Sequence, residues 1–90
     1  MPNNRRKPME VVNNDTPTLA DHYPFRHPLD TGDKGFLVLW VQSRLATLGF
    51  YKGDLDGRYD REMSLSVRAF QASANLKVTG VVDRKTWDAL

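Results

Sequence analysis

Apolar positions recur with a helical period in three stretches of the chain. Val38, Val41, Leu45 and Leu48 follow one another at spacings of 3, 4 and 3. That spacing is one face of a helix, predicted over residues 35–48. Gly49 comes next and suits the left-handed residue that closes a helix. Met63, Val67, Phe70 and Ala74, at spacings of 4, 3 and 4, predict a second helix over residues 61–74. Asp60 is a good N-cap for it, Glu62 adds negative charge to its first turn, and Asn75 tolerates the left-handed conformation after it. A third, short helix is predicted after Asp83, with Trp87 and Leu90 on its inner side. Residues 52–57 between the first two helices carry turn chemistry, and residues 77–82 admit a very short strand.

The two connectors echo each other. A helix followed by Gly49, Phe50, Gly53 and Asp54-Leu55-Asp56 parallels a helix followed by Asn75, Leu76, Gly80 and Val81-Val82-Asp83, a repeat of about 26 residues. Two copies are too few for a solenoid. The expected fold class is all-α: a compact three-helix bundle with short, structured connectors.

Composition divides the chain. All five prolines lie within the first 28 residues, and only 9 of the first 34 residues are apolar, against 27 of the last 56. A segment so poor in apolar groups cannot offset its own chain entropy, and its prolines interrupt helices. Residues 1–31 therefore read as an extended or disordered N-terminal arm, and residues 32–90 as the folded unit. Tyr23 and Phe25, set among Pro24 and Pro28, are a docking handle on the arm. At 90 residues and 10.3 kDa the chain has room for one small domain. It has no cysteine, which removes disulfides and thiolate metal sites. No apolar run approaches the roughly 18 residues of a membrane helix, and the first 30 residues lack the core of a signal peptide. A net charge of +2 is too small and its residues too well mixed to argue for nucleic acid.

The order and spacing of particular residues resemble a known family. Gly35, Val38, Val41-Gln42, Leu45, Leu48-Gly49-Phe50-Tyr51, Gly53, Asp56-Gly57 and Tyr59 look like the first half of the peptidoglycan-binding domain found beside cell-wall hydrolases. Val67, Phe70-Gln71, Leu76, Val78-Thr79-Gly80-Val81-Val82-Asp83, Thr86-Trp87 and Leu90 look like its second half. The resemblance implies a small three-helix fold and non-catalytic anchoring to peptidoglycan. Tyr59-Asp60 replaces the family's usual Phe-Gly, Met63 its usual Thr, and Ser66 its usual Ala. Met63 thereby removes a hydroxyl beside the connector. The arm is outside the resemblance.

Asp54 with Asp56, or Asp56 with Asp83, makes a carboxylate pair of the kind glycoside hydrolysis uses, but turn formation by Asp56 and capping by Asp83 account for them. The folded half has no histidine, so no Ser/His/Asp set is available. A calcium loop counted from Gly57 puts Lys52 and Met63 at positions that need acidic ligands. His22 and His27 are only two potential zinc ligands, surrounded by prolines. Arg5-Arg6-Lys7 lies in a segment, residues 1–34, that balances five basic against five acidic residues. Gln42 and Gln71 either bind sugar hydroxyls and peptide carbonyls or tie down connector backbone. Phe50 reads as core, while Tyr51 and Tyr59 suit either a saccharide groove or the core. Phe36, Leu37 and Trp40 lie off the buried face of the first helix, a patch covered either by the chain's own arm or by a protein partner.

The reading is a non-catalytic peptidoglycan-binding module that holds glycan or stem peptide through Gln42, Tyr51, Asp56, Gly57, Tyr59 and Gln71. It needs no cofactor and no metal, and binds neither nucleic acid nor membrane. The alternative is a structural virion component, a capsid or tail docking protein, whose interface is Tyr23, Phe25, Phe36, Leu37 and Trp40. The first reading places the chain at the bacterial cell wall or outside the cell, the second in a phage particle. The two readings assign their residues to separate surfaces.

Overall fold

The computed structural model describes residues 24–90. Among these residues there are three helices, α1 (Phe36–Leu48), α2 (Arg61–Ser73) and α3 (Arg84–Ala89), and no strands. The all-α fold is thus the one expected. In place of the short strand at residues 77–82 there is a single antiparallel bridge, Leu29 to Val82, and a second bridge joins Lys34 to Arg58.

Local chemistry sets the helix ends. Asp60 Oδ1 accepts a hydrogen bond from the Met63 N–H at 3.0 Å, and Asp83 Oδ1 accepts from the Thr86 N–H at 2.9 Å. Each satisfies an amide that a helix start leaves without a partner. The two long helices stop in the same way. After α1, Gly49 takes φ 91° and the Phe50 N–H donates to the Leu45 carbonyl at 2.8 Å. After α2, Asn75 takes φ 60° and the Leu76 N–H donates to the Gln71 carbonyl at 2.8 Å. This is the Schellman arrangement, used twice, and Phe50 and Leu76 then pack against the core as its apolar closing residues.

Val38, Val41 and Leu45 of α1 meet Met63, Val67 and Phe70 of α2, and Trp87 and Leu90 close the open end. Leu29, Tyr51, Tyr59 and Val82 complete the core from the connecting segments. Burial of each such aliphatic side chain stabilises by about 1.5–3 kcal/mol. Leu48 departs from the expected stripe: it is the last residue of α1 and is exposed. Phe50 is half-buried and sets its ring edge against Phe70, centroids 5.7 Å apart. Met63 is wholly enclosed in the core, so its side chain fills space between helices rather than shaping a surface.

The segment ahead of α1 packs on the far end of the bundle. Phe25 sets its ring edge against Trp87 at 6.4 Å, and Leu29 exchanges two backbone hydrogen bonds with Val82. Phe25 and Leu29 therefore lie against the C-terminal elements, and Phe36 and Trp40 are left exposed. Tyr23 of the docking handle lies outside the described residues, as does His22 of the histidine pair.

Candidate binding groove

Two buried glutamines fix the two connectors. Gln42, on α1, is fully enclosed. Its Oε1 accepts the Gly57 N–H at 2.8 Å, and its Nε2 donates to the Arg58 carbonyl at 2.9 Å and to Asp56 Oδ1 at 3.0 Å. Gln71, on α2, repeats the arrangement: Oε1 accepts the Gly80 and Thr79 N–H groups, and Nε2 donates to the Val81 carbonyl. An amide is the side chain for this task because it carries a donor and an acceptor on one rigid plane. The internal echo in the sequence is thus an echo of contacts, Gln42 with Gly57 and Arg58, Gln71 with Gly80 and Val81. Both amides are spent within the protein, chiefly on connector backbone.

Tyr51 and Tyr59 lie beneath the connectors, each almost completely buried. The Tyr51 hydroxyl donates to the Asp54 carbonyl and accepts from Gln42 Nε2. Burial pushes its phenol above the ordinary range, helped by Asp60 and Asp56. The Tyr59 hydroxyl donates to the Gly80 carbonyl and so ties the first connector to the second. Burial pushes that phenol strongly upward, with Asp30 and Asp33 adding to it. Both hydroxyls stay protonated donors at any physiological pH. The exposed Asp56 carboxyl is held below the usual carboxylate range, first by the Gln42 amide and then by the Arg58 N–H at 2.9 Å.

Above this layer lies a groove of about 360 Å³, lined by Lys34, Gly35, Phe36, Leu39, Asp56, Gly57 and Arg58. Its two walls are the start of α1 and the end of the first connector. They are stitched by the Gly35 N–H donating to the Gly57 carbonyl at 2.9 Å. The groove continues along α1 into an apolar hollow formed by Phe36, Leu39, Trp40 and Ser43. On its other side it adjoins a polar hollow lined by Gly32, Asp33, Lys34, Arg58, Tyr59 and Asp60. Phe36 is 81% exposed and Trp40 42%. A side chain at Gly57 would sit 3.1 Å from the Gly35 carbonyl, so glycine keeps the floor low.

The matching position in the second half is filled. A Cβ at Gly80 would meet Arg68 Nε at 2.9 Å and Ser64 Oγ at 2.8 Å. Leu39 and Gly35 flank Gly57, while Arg68 and Ser64 flank Gly80, at the same distances in sequence from Gln42 and Gln71. The Arg68 side chain lies where the first half has open space.

Of the sequence-derived wall-contact residues, Asp56 and Gly57 line the groove, Gln42 and Tyr51 lie directly behind it, Tyr59 borders the polar hollow, and Gln71 is buried in the second half. Of the protein-interface residues, Phe36 lines the groove and Trp40 its extension, while Leu37 is half-buried against the core. Members of the two sets, Asp56 and Gly57 of one and Phe36 of the other, therefore share one groove, while Phe25 of the second set packs on Trp87. Lys34, Leu39 and Arg58 also line the groove, and nothing in the local sequence marks them. Their signal is the pairing of Lys34 with Arg58, which no spacing along the chain displays.

Residues 34–90 match the model of a family described as "Putative peptidoglycan binding domain". The chain belongs to the peptidoglycan-binding domain family. Solved structures agree with that membership. The SleB N-terminal domain is 34% identical with a TM-score of 0.67, the match covering 69% of this chain and 85% of that one. The endolysin of Burkholderia phage AP3 is 34% identical with a TM-score of 0.66, over 69% of this chain and 24% of that one. The L,D-transpeptidase from Xylanimonas cellulosilytica is 35% identical with a TM-score of 0.67, over 76% of this chain and 33% of that one. The peptidoglycan-binding domain thus spans about a quarter of that endolysin and a third of that transpeptidase. A search of curated proteins finds no match. Among the described residues no group of three or more His, Cys, Asp or Glu side chains could hold a metal ion, and no helix is long and apolar enough to cross a membrane.

Proposed function

We propose that this peptidoglycan-binding domain is a non-catalytic anchor that holds its ligand in the groove between the start of α1 and residues 56–58. The observation that carries this is the groove itself, an open, largely apolar channel beside two cations, on a scaffold whose family binds peptidoglycan. Contacts come from Lys34, Phe36, Leu39, Asp56, Gly57 and Arg58. Gln42 and Tyr51 position the Asp56–Arg58 backbone from behind, and Tyr59 and Gln71 hold the second connector against the first. Anchoring suits a surface of this size, since a shallow groove yields modest affinity that is multiplied when a repetitive polymer offers many copies.

Co-sedimentation with purified sacculi tests the proposal. Phe36→Ser removes an exposed ring from the groove, and Leu65→Ser removes an equally simple exposed apolar group from the second half, where Leu65 is 53% exposed. Sedimentation should fall with Phe36→Ser and persist with Leu65→Ser. Equal behaviour of the two would place binding elsewhere on the domain.

A further inference from the structure

Resting on that reading, we infer that the groove selects the peptide part of the polymer, and within it a chain end: a short peptide with small apolar side chains and a free C-terminal carboxylate. Three observations point the same way. First, most of the polar groups that could grip vicinal sugar hydroxyls are engaged by the protein. Both ends of the Gln42 amide are bonded to the connector, and Asp56 Oδ1 accepts from Gln42 Nε2 and from the Arg58 N–H, which leaves Asp56 Oδ2 as the one carboxylate oxygen facing the groove. Second, the walls that remain are apolar: Phe36 and Leu39 in the groove, and Trp40 in its extension. They match methyl and short aliphatic side chains by area, not by hydrogen bonding.

Third, two cations stand where an anionic ligand end could meet them, while the neighbouring carboxylates already accept N–H groups of the protein: Asp33 from the Asp30 N–H, Asp60 from the Met63 N–H, and Asp56 through Oδ1 from Gln42 and the Arg58 N–H. Lys34 and Arg58 both line the groove and the adjoining polar hollow, so they stand where the two meet. Among the described residues neither forms an ion pair, the one recorded bridge being Arg84 to Asp88 on α3. Two cations beside an apolar channel complement a ligand that is apolar along its length and anionic at its end. A guanidinium can meet a carboxylate with two parallel N–H donors, and a lysine adds a point charge. The peptide would run from the Trp40 hollow toward Lys34 and Arg58, its last side chain on Phe36 and Leu39.

The full-length chain is titrated with three soluble probes: the free acid of a stem tetrapeptide ending in D-alanine, the same peptide as its C-terminal amide, and chitotetraose. Binding is read from backbone amide shifts at Gly35, Phe36, Gly57 and Arg58. The free acid should move these amides and the C-terminal amide should bind about tenfold more weakly, the loss expected for one charge-assisted contact. Lys34→Gln with Arg58→Gln should bring the free acid down to the level of the amide. The inference is overturned if acid and amide bind alike, or if chitotetraose moves these amides and the peptides do not. Sedimentation with sacculi separates the two failures: a protein that still sediments through Phe36 while ignoring the carboxylate keeps the groove and loses only the peptide end.

Discussion

Replacing Gln42 by leucine should cost about 1–5 kcal/mol, although the new side chain is of similar size and more apolar. The Gly57 N–H and the Arg58 carbonyl would both lose their partner, with Gly57 buried under the groove. Each orphaned buried backbone group costs about 1–3 kcal/mol, and the added apolar burial returns about 1 kcal/mol. A domain of this size has a total stability of only about 3–10 kcal/mol, at the usual 0.05–0.15 kcal/mol per residue. A loss of about 3 kcal/mol, near the middle of the range for the substitution, would remove about a third of it or more. Urea unfolding followed by the fluorescence of buried Trp87 gives the difference directly from the shift in midpoint at constant slope. Gln42→Glu sharpens the test. Its carboxylate would keep the acceptor for Gly57 but face the Asp56 carboxylate and the Arg58 carbonyl with oxygen in place of a donor. The folded-state pKa of that new group is raised, so its ionised form is the destabilising one. The variant should gain stability as pH falls through the raised pKa and lose it as pH rises. If Gln42→Leu unfolds within about 0.5 kcal/mol of the parent, the glutamine does not hold the connector and the account of the groove's floor fails.

Other perturbations follow from the same contacts. Gln71→Leu should cost as much as Gln42→Leu, because it orphans the equivalent groups at Gly80 and Val81; urea unfolding checks it, and a negligible cost would break the equivalence of the two halves. Leu29→Ala should cost about 2–5 kcal/mol in thermal or urea unfolding, since Leu29 is a core residue. By the same argument, we propose that the folded unit begins ahead of Leu29, and removal of residues 1–23 should cost far less than removal of residues 1–31. Asp83→Ala should cost about 0.5–2 kcal/mol at neutral pH, as for a lost N-cap. Burial pushes the Asp83 carboxyl up, but the Thr86 N–H and hydroxyl together hold it below its ordinary value. Its stabilisation is present above the unfolded pKa of about 4 and is lost as pH falls through the lower folded value, so parent and variant should converge in acid.

Much of this fold was legible along the chain. The spacing of Val38, Val41 and Leu45 and of Met63, Val67 and Phe70 marked two helices. Asp60, Asp83, Gly49 and Asn75 marked their ends, because capping depends on residues a few positions apart. The repeat was visible too, and the structure shows its cause in the paired glutamines. What escaped was set by approach across the fold. Leu29 looked like part of a proline-rich arm, yet two backbone hydrogen bonds to Val82 draw it into the core. The groove arises because Lys34-Gly35 meets Gly57-Arg58 from more than twenty residues away, which periodicity does not register. Tyr51 and Tyr59 were ambiguous in sequence for a physical reason. A tyrosine is buried whenever its hydroxyl finds a partner, and here the partners are the Asp54 and Gly80 carbonyls.

The most direct measurement for the groove is a map of backbone amide shifts in the full-length chain on addition of soluble peptidoglycan fragments, glycan and peptide still joined. The amides of residues 34–39 and 56–58 should move together with increasing fragment, while those of residues 64–68 and 77–81, where Arg68 covers Gly80, should stay in place. Shifts centred on residues 64–68 and 77–81, with residues 34–39 unmoved, would contradict it.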